Sequence, residues 1–332
     1  MKFIAYFDYL GFKQFIENND LDYQKRIMGN NFRDMESALG QGKLVEASHG
    51  VIADLSNHKV NCINFSDTVV FWTNDDSEQS IIEILDVASK FNRQGTTLFF
   101  PARGALVHGE MEYIDFKNEN SFGGLYNINS VFGKGLVTAH QKAESQQWSG
   151  TVIDSSFVNK LVEMGHNPDS FLLTYAKKYI VPYKNGVKLE QEFALNLVSY
   201  KLNPVAFDNT SKGIIRNFGN HDKDTTHPDV QEKINNTITF LETYKSKTAF
   251  SDFDYKILIE HFQKNEFNQF YLFIIKRALY VKKQPEPDET TIEELMKVLD
   301  DKAIVSSLNP QTKDEIISAI DVLYEALISR YE

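Results

Sequence analysis

The sequence lacks several features that would assign a chain to a class at once. Its 332 residues include a single cysteine, Cys62, so the chain has no internal disulfide framework and too few thiolates for a structural zinc site. We expect Cys62 to be a small core residue. Acidic residues outnumber basic ones by 46 to 35, the net charge is −11, and no basic stripe is present. We therefore expect no nucleic-acid partner.

Long apolar runs, internal repeats and low-complexity tracts are also missing. The segment Met1–Asp8 is apolar but short and ends on an acid, which is unlike a signal peptide, and no stretch is long enough to span a bilayer. We expect a cytoplasmic protein with no membrane partner. A hydrophobic content of 42% is ordinary for a globular chain. The length suits one large domain with an appendage, or two domains.

The first half of the chain alternates strand-like and helical patterns. Strands are predicted at 2–8, 59–65, 68–73, 98–108 and 151–154, and helices at 13–45 (broken near 18–20 and 40–42), 77–92 and 136–147. Pro101 predicts an edge or a bulge in the fourth strand. Two glycine clusters, Gly123-Gly124 and Gly133-Lys134-Gly135, are expected to flank a loop. The order β-α-ββ-α-β, then α-β, predicts an α+β fold with a ferredoxin-like, split βαβ core.

The second half changes character at Pro228, after a hairpin signal at Asn185-Gly186. One helix is indicated by an apolar stripe of Val230, Ile234, Ile238 and Leu241. Further helices are predicted at 253–263, 267–281, 290–300 and 311–330, with a linker at 282–288. We therefore divide the chain into a domain at 1–227 and a helical extension at 228–332.

Two aspartates are the strongest functional signal. Asp8 ends the first strand beside the turn at Gly11, and Asp67 lies at the tip of the hairpin between the second and third strands. Carboxylates are the hard oxygen ligands that Mg²⁺ and Mn²⁺ prefer, and two of them at one sheet edge suit a two-metal phosphoryl-transfer site. Asp8 alone would more often be a turn or cap residue.

Four motifs in order resemble the catalytic domain of class III nucleotidyl cyclases. They are Tyr6-Phe7-Asp8-Tyr9-Leu10-Gly11-Phe12, the hairpin tip Ser66-Asp67, Arg103-Gly104-Ala105-Leu106-Val107-His108-Gly109 and Phe132-Gly133-Lys134-Gly135-Leu136-Val137-Thr138-Ala139. Details such as Leu10-Gly11-Phe12, Phe65-Ser66-Asp67-Thr68 and Arg103-Gly104 look closer to the bacterial antiphage pyrimidine cyclases of Pycsar systems. The match covers roughly residues 1–160.

The resemblance implies a cyclase palm with added C-terminal helices, Asp8 and Asp67 as ligands of two Mg²⁺ or Mn²⁺ ions, and a homodimer. It implies conversion of UTP, or of CTP, to cyclic UMP or cyclic CMP, a product that acts on a separate effector in antiphage defence. Purine enzymes of the family carry a base-reading lysine where this chain has Ile63. That difference favours a pyrimidine substrate.

The remaining site residues follow from the same resemblance. Tyr9, Gly11 and Phe12 are expected to place backbone groups near the triphosphate, with Ile63 near the base. Arg103, Lys134 and Lys142 are candidates to offset the charge of the leaving pyrophosphate. Arg103 could equally be a salt-bridging strand residue. Lys134 could be a solvated loop lysine, unless its loop faces the site.

Two alternative functions stay open at this point. The late helix lacks the Asn and Arg with which purine cyclases stabilise the transition state, which would fit a degenerate cyclase fold that only binds a nucleotide or a partner. The segment Gly219-Asn220-His221-Asp222 matches a signature of calcineurin-like metallophosphoesterases. The other two motifs of that family are absent, so we interpret the segment as a turn.

Overall fold

The computed structural model describes residues 1–47, 50–121, 123–184, 190–199, 202 and 204–245, with the backbone alone at 204 and 205. The chain divides into two compact units, Met1–Lys245 and Ser246–Glu332. The hairpin predicted at Asn185-Gly186, the linker at 282–288 and the four helices predicted beyond residue 250 lie outside the described residues. The domain boundary expected at 227/228 stays a prediction, although the helix that follows it lies within the first unit.

The first unit combines a large sheet with helices. Its strands are β1 (Lys2–Tyr9), β2 (Leu44–Ala47), β3 (Gly50–Ala53), β4 (Asn61–Phe65), β5 (Thr68–Trp72), β6 (Ala102–Gly109), β7 (Glu112–Glu119), β8 (Leu125–Phe132), β9 (Thr151–Ile153), β10 (Ala176–Tyr179) and β11 (Glu192–Leu195). Its helices are α1 (Phe12–Asn18), α2 (Leu21–Leu39), α3 (Glu78–Thr97), α4 (Lys134–Glu144), α5 (Ser155–Glu163), α6 (Pro168–Phe171), α7 (Pro204–Gly219) and α8 (Pro228–Glu242).

The topology of the main sheet confirms the α+β prediction. Its strand order is β10-β11-β9-β6-β1-β5-β4, with β1 antiparallel to both neighbours and β9 parallel to β6. The first four strands of this sheet in chain order are β1, β4, β5 and β6. Helices lie between β1 and β4 and between β5 and β6, and β4 and β5 form a hairpin, as in a βαββαβ unit. Their spatial order of fourth, first, third and second is the ferredoxin-like arrangement. In this sheet the central strands β1, β5 and β6 are buried on both faces.

Strand β1 separates two cores, because successive side chains of a strand point to opposite faces. Phe3, Ala5 and Phe7 pack in the larger core, with side chains of α2, α3 and α5. Ile4 and Tyr6 face the other side, where Ala139 of α4 joins them. Asp8 has the same parity as Ile4 and Tyr6. The alternation therefore places its side chain on the face that α4 covers.

Two short sheets depart from the sequence prediction. The segment 125–132, predicted as a loop, is strand β8, which pairs with β7 over eight residues as a separate two-stranded sheet. Most of its side chains are exposed, so no apolar alternation marks it as a strand. The β2–β3 hairpin was likewise not predicted. Pro101 precedes β6 rather than interrupting it, which corrects the expected bulge.

Helices α7 and α8 pack against each other, and α7 also contacts α3. Ile234 and Leu241 of the predicted stripe are buried with Ile214 and Phe218 of α7 in a cluster that includes Trp148. The apolar stripe is therefore part of the core. No helix in the described part of the chain is both long and apolar enough to cross a membrane.

Candidate active site

Asp8 and Asp67 lie at the same end of two neighbouring strands. The register places Asp8 opposite Thr68, the first residue of β5, and Asp67 is in the two-residue turn just before it. Ser66, the other turn residue, has a φ of 54°, which a tight hairpin turn requires. The Tyr9 amide donates to the Asp67 carbonyl oxygen at 2.9 Å and fixes the turn against the end of β1.

Both aspartates line one cavity of about 620 Å³. This volume is within the range of pockets that hold small-molecule ligands. The other walls come from the β1–α1 turn, from β6 and α4, and from the loop between α7 and α8. The lining residues are Asp8, Tyr9, Leu10, Gly11, Phe12, Lys13, Gln14, Asp67, Arg103, Glu144, Lys184, Phe218, Lys223, Asp224, Asp229, Val230 and Lys233.

Arg103 is held against Asp8 by the pairing of β6 with β1, which places the two residues directly opposite. Its Nε donates to Asp8 Oδ2 at 2.8 Å, and its Nη2 lies 2.7 Å from the same oxygen. Nη2 also pairs with the Glu144 carboxylate, and Nη1 donates to the Glu144 carbonyl oxygen at 3.1 Å. Arg103 is therefore a buried bridge between the end of β1 and the end of α4.

The aspartates have acceptor capacity left for a cation. Burial raises the pKa of the Asp8 carboxyl above its usual value, against the opposing charge of Arg103. Asp8 uses only Oδ2 with Arg103, and the Asp67 carboxylate has no hydrogen bond or ion pair within the described ranges. Each carboxyl group thus keeps oxygens that can face a metal ion.

The two carboxylates fit a metal site in which the substrate supplies some of the ligands. Within the part of the chain that the structure describes, no group of three or more His, Cys, Asp or Glu residues is arranged to hold a metal ion. Two carboxylates alone leave most of an octahedron unfilled, so phosphate oxygens and water would have to supply the other ligands. Asp8 and Asp67 would hold the ion.

The turn after β1 brings a lysine from far along the chain into the cavity wall. Gly11 has a φ of 78°, a conformation that glycine adopts at no steric cost. A Cβ atom on Gly11 would lie 2.8 Å from Cδ of Lys223, so the lysine stem packs directly on this turn. Lys223 is 7% exposed, and burial lowers its pKa to about 7.

Comparisons with known proteins give structural neighbours and no sequence match. No protein-family model matches the chain, and no curated protein matches it. The guanylate cyclase domain of RhGC from Catenaria anguillulae, solved in complex with GTP, is 10% identical over 59% of this chain and 95% of its own, with a TM-score of 0.39.

Two further cyclases are similar to the same degree. The adenylyl cyclase CyaB from P. aeruginosa is 12% identical over 59% of this chain and 93% of its own, with a TM-score of 0.38. A dimeric guanylyl cyclase domain of the RhoGC fusion protein from Blastocladiella emersonii is 10% identical over 58% of this chain and 94% of its own, with a TM-score of 0.40. Identities and TM-scores this low carry over neither an activity nor a residue role.

The structure brings some of the predicted site residues together and leaves others apart. Asp8, Asp67, Arg103 and the segment Tyr9–Phe12 line the cavity. Within that segment, the Tyr9 ring packs in the core with the rings of Phe91 and Phe100 rather than facing the cavity.

The other three predicted residues are absent from the cavity lining. The Lys134 side chain is 90% exposed and lies 3.7 Å from the carboxylate of Glu110. Lys142 is buried, paired with Glu192 and 3.7 Å from Asp154. Ile63 packs against the core on the α4 side of the sheet.

The segment Gly219–Asp222 forms the turn that the sequence analysis favours. The His221 ring stacks on Phe100 with centroids 5.5 Å apart, and its Nδ1 is 3.0 Å from the Tyr23 hydroxyl. Both His221 and Asp222 have positive φ values, 66° and 56°. The segment serves to dock the α7–α8 loop on α1 and α2. It delivers Lys223, the residue that follows it, to the cavity.

Proposed function

We propose that the protein is a nucleotidyl cyclase that converts UTP, or CTP, to the 3′,5′-cyclic nucleotide and pyrophosphate. The observation that carries the proposal is the convergence of Asp8 and Asp67 on one cavity, at the strand end and hairpin tip where the cyclase-like motifs place them. The cavity is also lined by Arg103 and Lys223. The resemblance stated above further supports a signalling role in antiphage defence, with the cyclic product acting on a separate effector.

The proposed reaction exchanges one phosphorus–oxygen bond for another. The 3′-oxygen of the substrate forms a bond to the α-phosphorus, the bond from that phosphorus to the β-bridging oxygen breaks, and pyrophosphate leaves with the electron pair. The proton of the 3′-hydroxyl passes to solvent. Two divalent ions held by Asp8 and Asp67 would supply this chemistry: one would lower the pKa of that hydroxyl, and the other would neutralise the charge of the triphosphate.

Arg103 has the position of a charge-stabilising group. Its guanidinium is buried, lies within hydrogen-bond distance of Asp8 and borders the same cavity. A fixed and buried cation stabilises developing negative charge more strongly than one in water. Lys134 and Lys142 stay predictions for this role, and Arg103 is the one of the three that lines the cavity.

The pyrimidine preference rests on Ile63 and the resemblance alone. Incubation of the full chain with each of the four nucleoside triphosphates and Mn²⁺ or Mg²⁺, followed by mass spectrometry, tests both activity and base preference. We expect a cyclic product from UTP or CTP. A cyclic product from none of the four would refute the cyclase proposal, and one from ATP or GTP alone would refute the pyrimidine assignment.

Two conservative variants test the metal-binding pair. Asp8→Asn and Asp67→Asn keep the side-chain shape and remove one charge each, so each should reduce cyclic-product formation at least 100-fold, as expected for loss of a metal ligand in phosphoryl transfer. Asp169→Asn, at an exposed residue paired with Lys178, is the matched control. Wild-type activity in either cavity variant would show that the pair is not the metal site.

The proposal includes a homodimer. The β7–β8 sheet offers an apolar surface for such contacts, since Ile114, Phe116 and Tyr126 share one of its faces and are all at least half exposed. Large exposed apolar patches commonly mark protein–protein contacts. Light scattering should give twice the chain mass, and a monomer at micromolar concentration would contradict this part of the proposal.

A second candidate is a cyclase-like fold that binds a nucleotide without turning it over. It is favoured by the placement of Lys134 and Lys142, two of the three expected cations, away from the cavity lining. It predicts that UTP raises the thermal stability of the protein while no cyclic product accumulates. A metallophosphoesterase gains no such support, because His221 contacts Tyr23 and Phe100 rather than other metal-ligating groups.

A further inference from the structure

Lys223 is a buried ammonium group without a carboxylate partner. Its Nζ is 3.5 Å from the Leu10 carbonyl oxygen, which is long for a hydrogen bond, and 4.1 Å from the centroid of the Phe100 ring. Among the residues that the structure describes, no Asp or Glu lies within ion-pair distance of it. Buried lysines are rare and are normally paired, because removing an ammonium group from water is costly.

The other cations that line the cavity are already neutralised. Their partners are Glu17 for Lys13, Asp8 and Glu144 for Arg103, Glu144 for Lys184, and Asp229 for Lys233. Within the described ranges, Lys223 is therefore the one lining cation whose charge is left uncompensated. An anionic ligand in the cavity would compensate it.

The position of Lys223 is fixed by hydrogen bonds of its loop and by packing on the turn after β1. Its loop is fastened to α1, where Asn18 and Asn19 donate to the carbonyl oxygens of Asp222 and His221. One residue beyond Lys223, the backbone amide of Asp224 donates to the Gln14 side chain at 2.9 Å. The stem of Lys223 itself rests on the Gly11 turn. These contacts hold the ammonium group at the wall that also carries the end of β1.

We propose that Lys223 binds the polyphosphate of the substrate, at its β- or γ-phosphate, from the loop between α7 and α8. The assignment rests on the proposed function for the identity of the substrate, but the chemistry it claims is recognition of a polyphosphate anion. It adds a binding residue from a segment that the cyclase-like motifs do not reach. It also gives the α7–α8 layer a role in the site.

The first test measures binding of inorganic tripolyphosphate to the full chain by titration calorimetry, without nucleotide. Lys223→Met keeps the apolar stem and removes the ammonium group, and Lys212→Met, at an exposed residue of α7, is the matched control. We expect the affinity to fall about 10- to 100-fold in Lys223→Met, the effect of losing one charge-assisted hydrogen bond, and to be unchanged in Lys212→Met. Equal affinity in all three proteins, or no binding by the wild type, would overturn the proposal.

Folding is checked by thermal unfolding without ligand. Lys223→Met should unfold at the wild-type temperature or above it, because it removes a buried unpaired charge. Tripolyphosphate should then raise the unfolding temperature of the wild type and of Lys212→Met by more than that of Lys223→Met. An equal rise in all three proteins would contradict polyphosphate binding by Lys223, independently of the calorimetric result.

A kinetic comparison separates this inference from the proposed function. If the wild type forms a cyclic nucleotide, Lys223→Met should lower kcat/KM about 10- to 100-fold with a raised KM, whereas unchanged kinetics would refute the role of Lys223 and leave the cyclase proposal intact. If no nucleoside triphosphate is cyclised but tripolyphosphate binding still depends on Lys223, the cyclase proposal fails and the polyphosphate site stands.

Discussion

Replacement of Arg103 by methionine tests how far the site and the fold depend on the same residue. The side chain of Arg103 is 9% exposed and that of its partner Asp8 is 16% exposed, so the variant leaves a carboxylate in a largely buried position without a counter-charge. Removing one partner of a buried ion pair typically costs about 3–5 kcal/mol. We expect Arg103→Met to lower the free energy of unfolding by about that amount.

The assay can be confined to the unit that contains the site. The chain has two tryptophans, Trp72 and Trp148, and both are buried in the first unit. Urea unfolding followed by tryptophan fluorescence therefore reports on this unit, and the midpoint and slope together give the change in free energy. Arg33→Met is the control, because Arg33 forms an exposed pair with Glu36 that should contribute less than about 1 kcal/mol.

A double-mutant cycle distinguishes the lost pair from lost packing. Asp8→Asn removes the negative charge, so in that background the loss of Arg103 leaves no unpaired carboxylate at residue 8. We expect a coupling free energy of roughly 1–3 kcal/mol between the two substitutions. If Arg103→Met cost no more than Arg33→Met, or if the cycle showed no coupling, the account of Arg103 as a buried bridge would be wrong.

Two further predictions concern stability. Gly104→Ala would place a Cβ 2.7 Å from the Phe7 ring and 2.8 Å from the Thr151 hydroxyl, so it should lower the free energy of unfolding in urea by about 1–3 kcal/mol. Gly29→Ala is the control, because Gly29 lies in the interior of α2 and a Cβ there would meet no neighbouring atom within 4 Å. It should raise the free energy of unfolding by about 0.5–1 kcal/mol. Burial raises the pKa of Asp34 to about 7, which favours the neutral acid in the fold, so the wild type should lose stability as pH rises from about 4 to 7. Asp34→Asn should remove that loss, with a gain that is absent at pH 4 and on the order of a few kcal/mol at pH 8, and an equal gain at both pH values would contradict it.

The sequence predicts the parts of the fold in which local pattern and burial agree. Strand β1, the hairpin that carries Asp67 and helix α3 all occur close to their predicted positions. The β7–β8 hairpin was missed because its side chains are exposed on both faces, so neither burial nor alternation separates it from a loop. The predicted helix at 136–147 begins earlier, at Lys134.

The residues of the candidate site can also be predicted from the sequence only in part. Asp8 and Arg103 lie opposite each other on the neighbouring strands β1 and β6. The order of the motifs along the chain allows such a strand arrangement to be inferred. Lys223 has no such signal, since it is a polar residue in a polar loop, and only the docking of that loop on Gly11 buries it. The role of Lys142 stays a prediction, and its long-range pairing with Glu192 could not be read from the helix on which it lies.

The charges of the cavity connect these observations. Arg103 compensates Asp8, which makes the burial of that carboxylate tolerable and gives the fold a bridge between β1 and α4. Asp67 and Lys223 have no ion-pair partner in the described part of the chain, so these two oppositely charged groups on the cavity wall are left uncompensated. Because these two charges do not neutralise each other by direct contact, a ligand that satisfies both must itself carry both signs. A polyphosphate with a bound divalent ion carries both signs, so Asp67 would hold the metal ion and Lys223 would bind the phosphate oxygens.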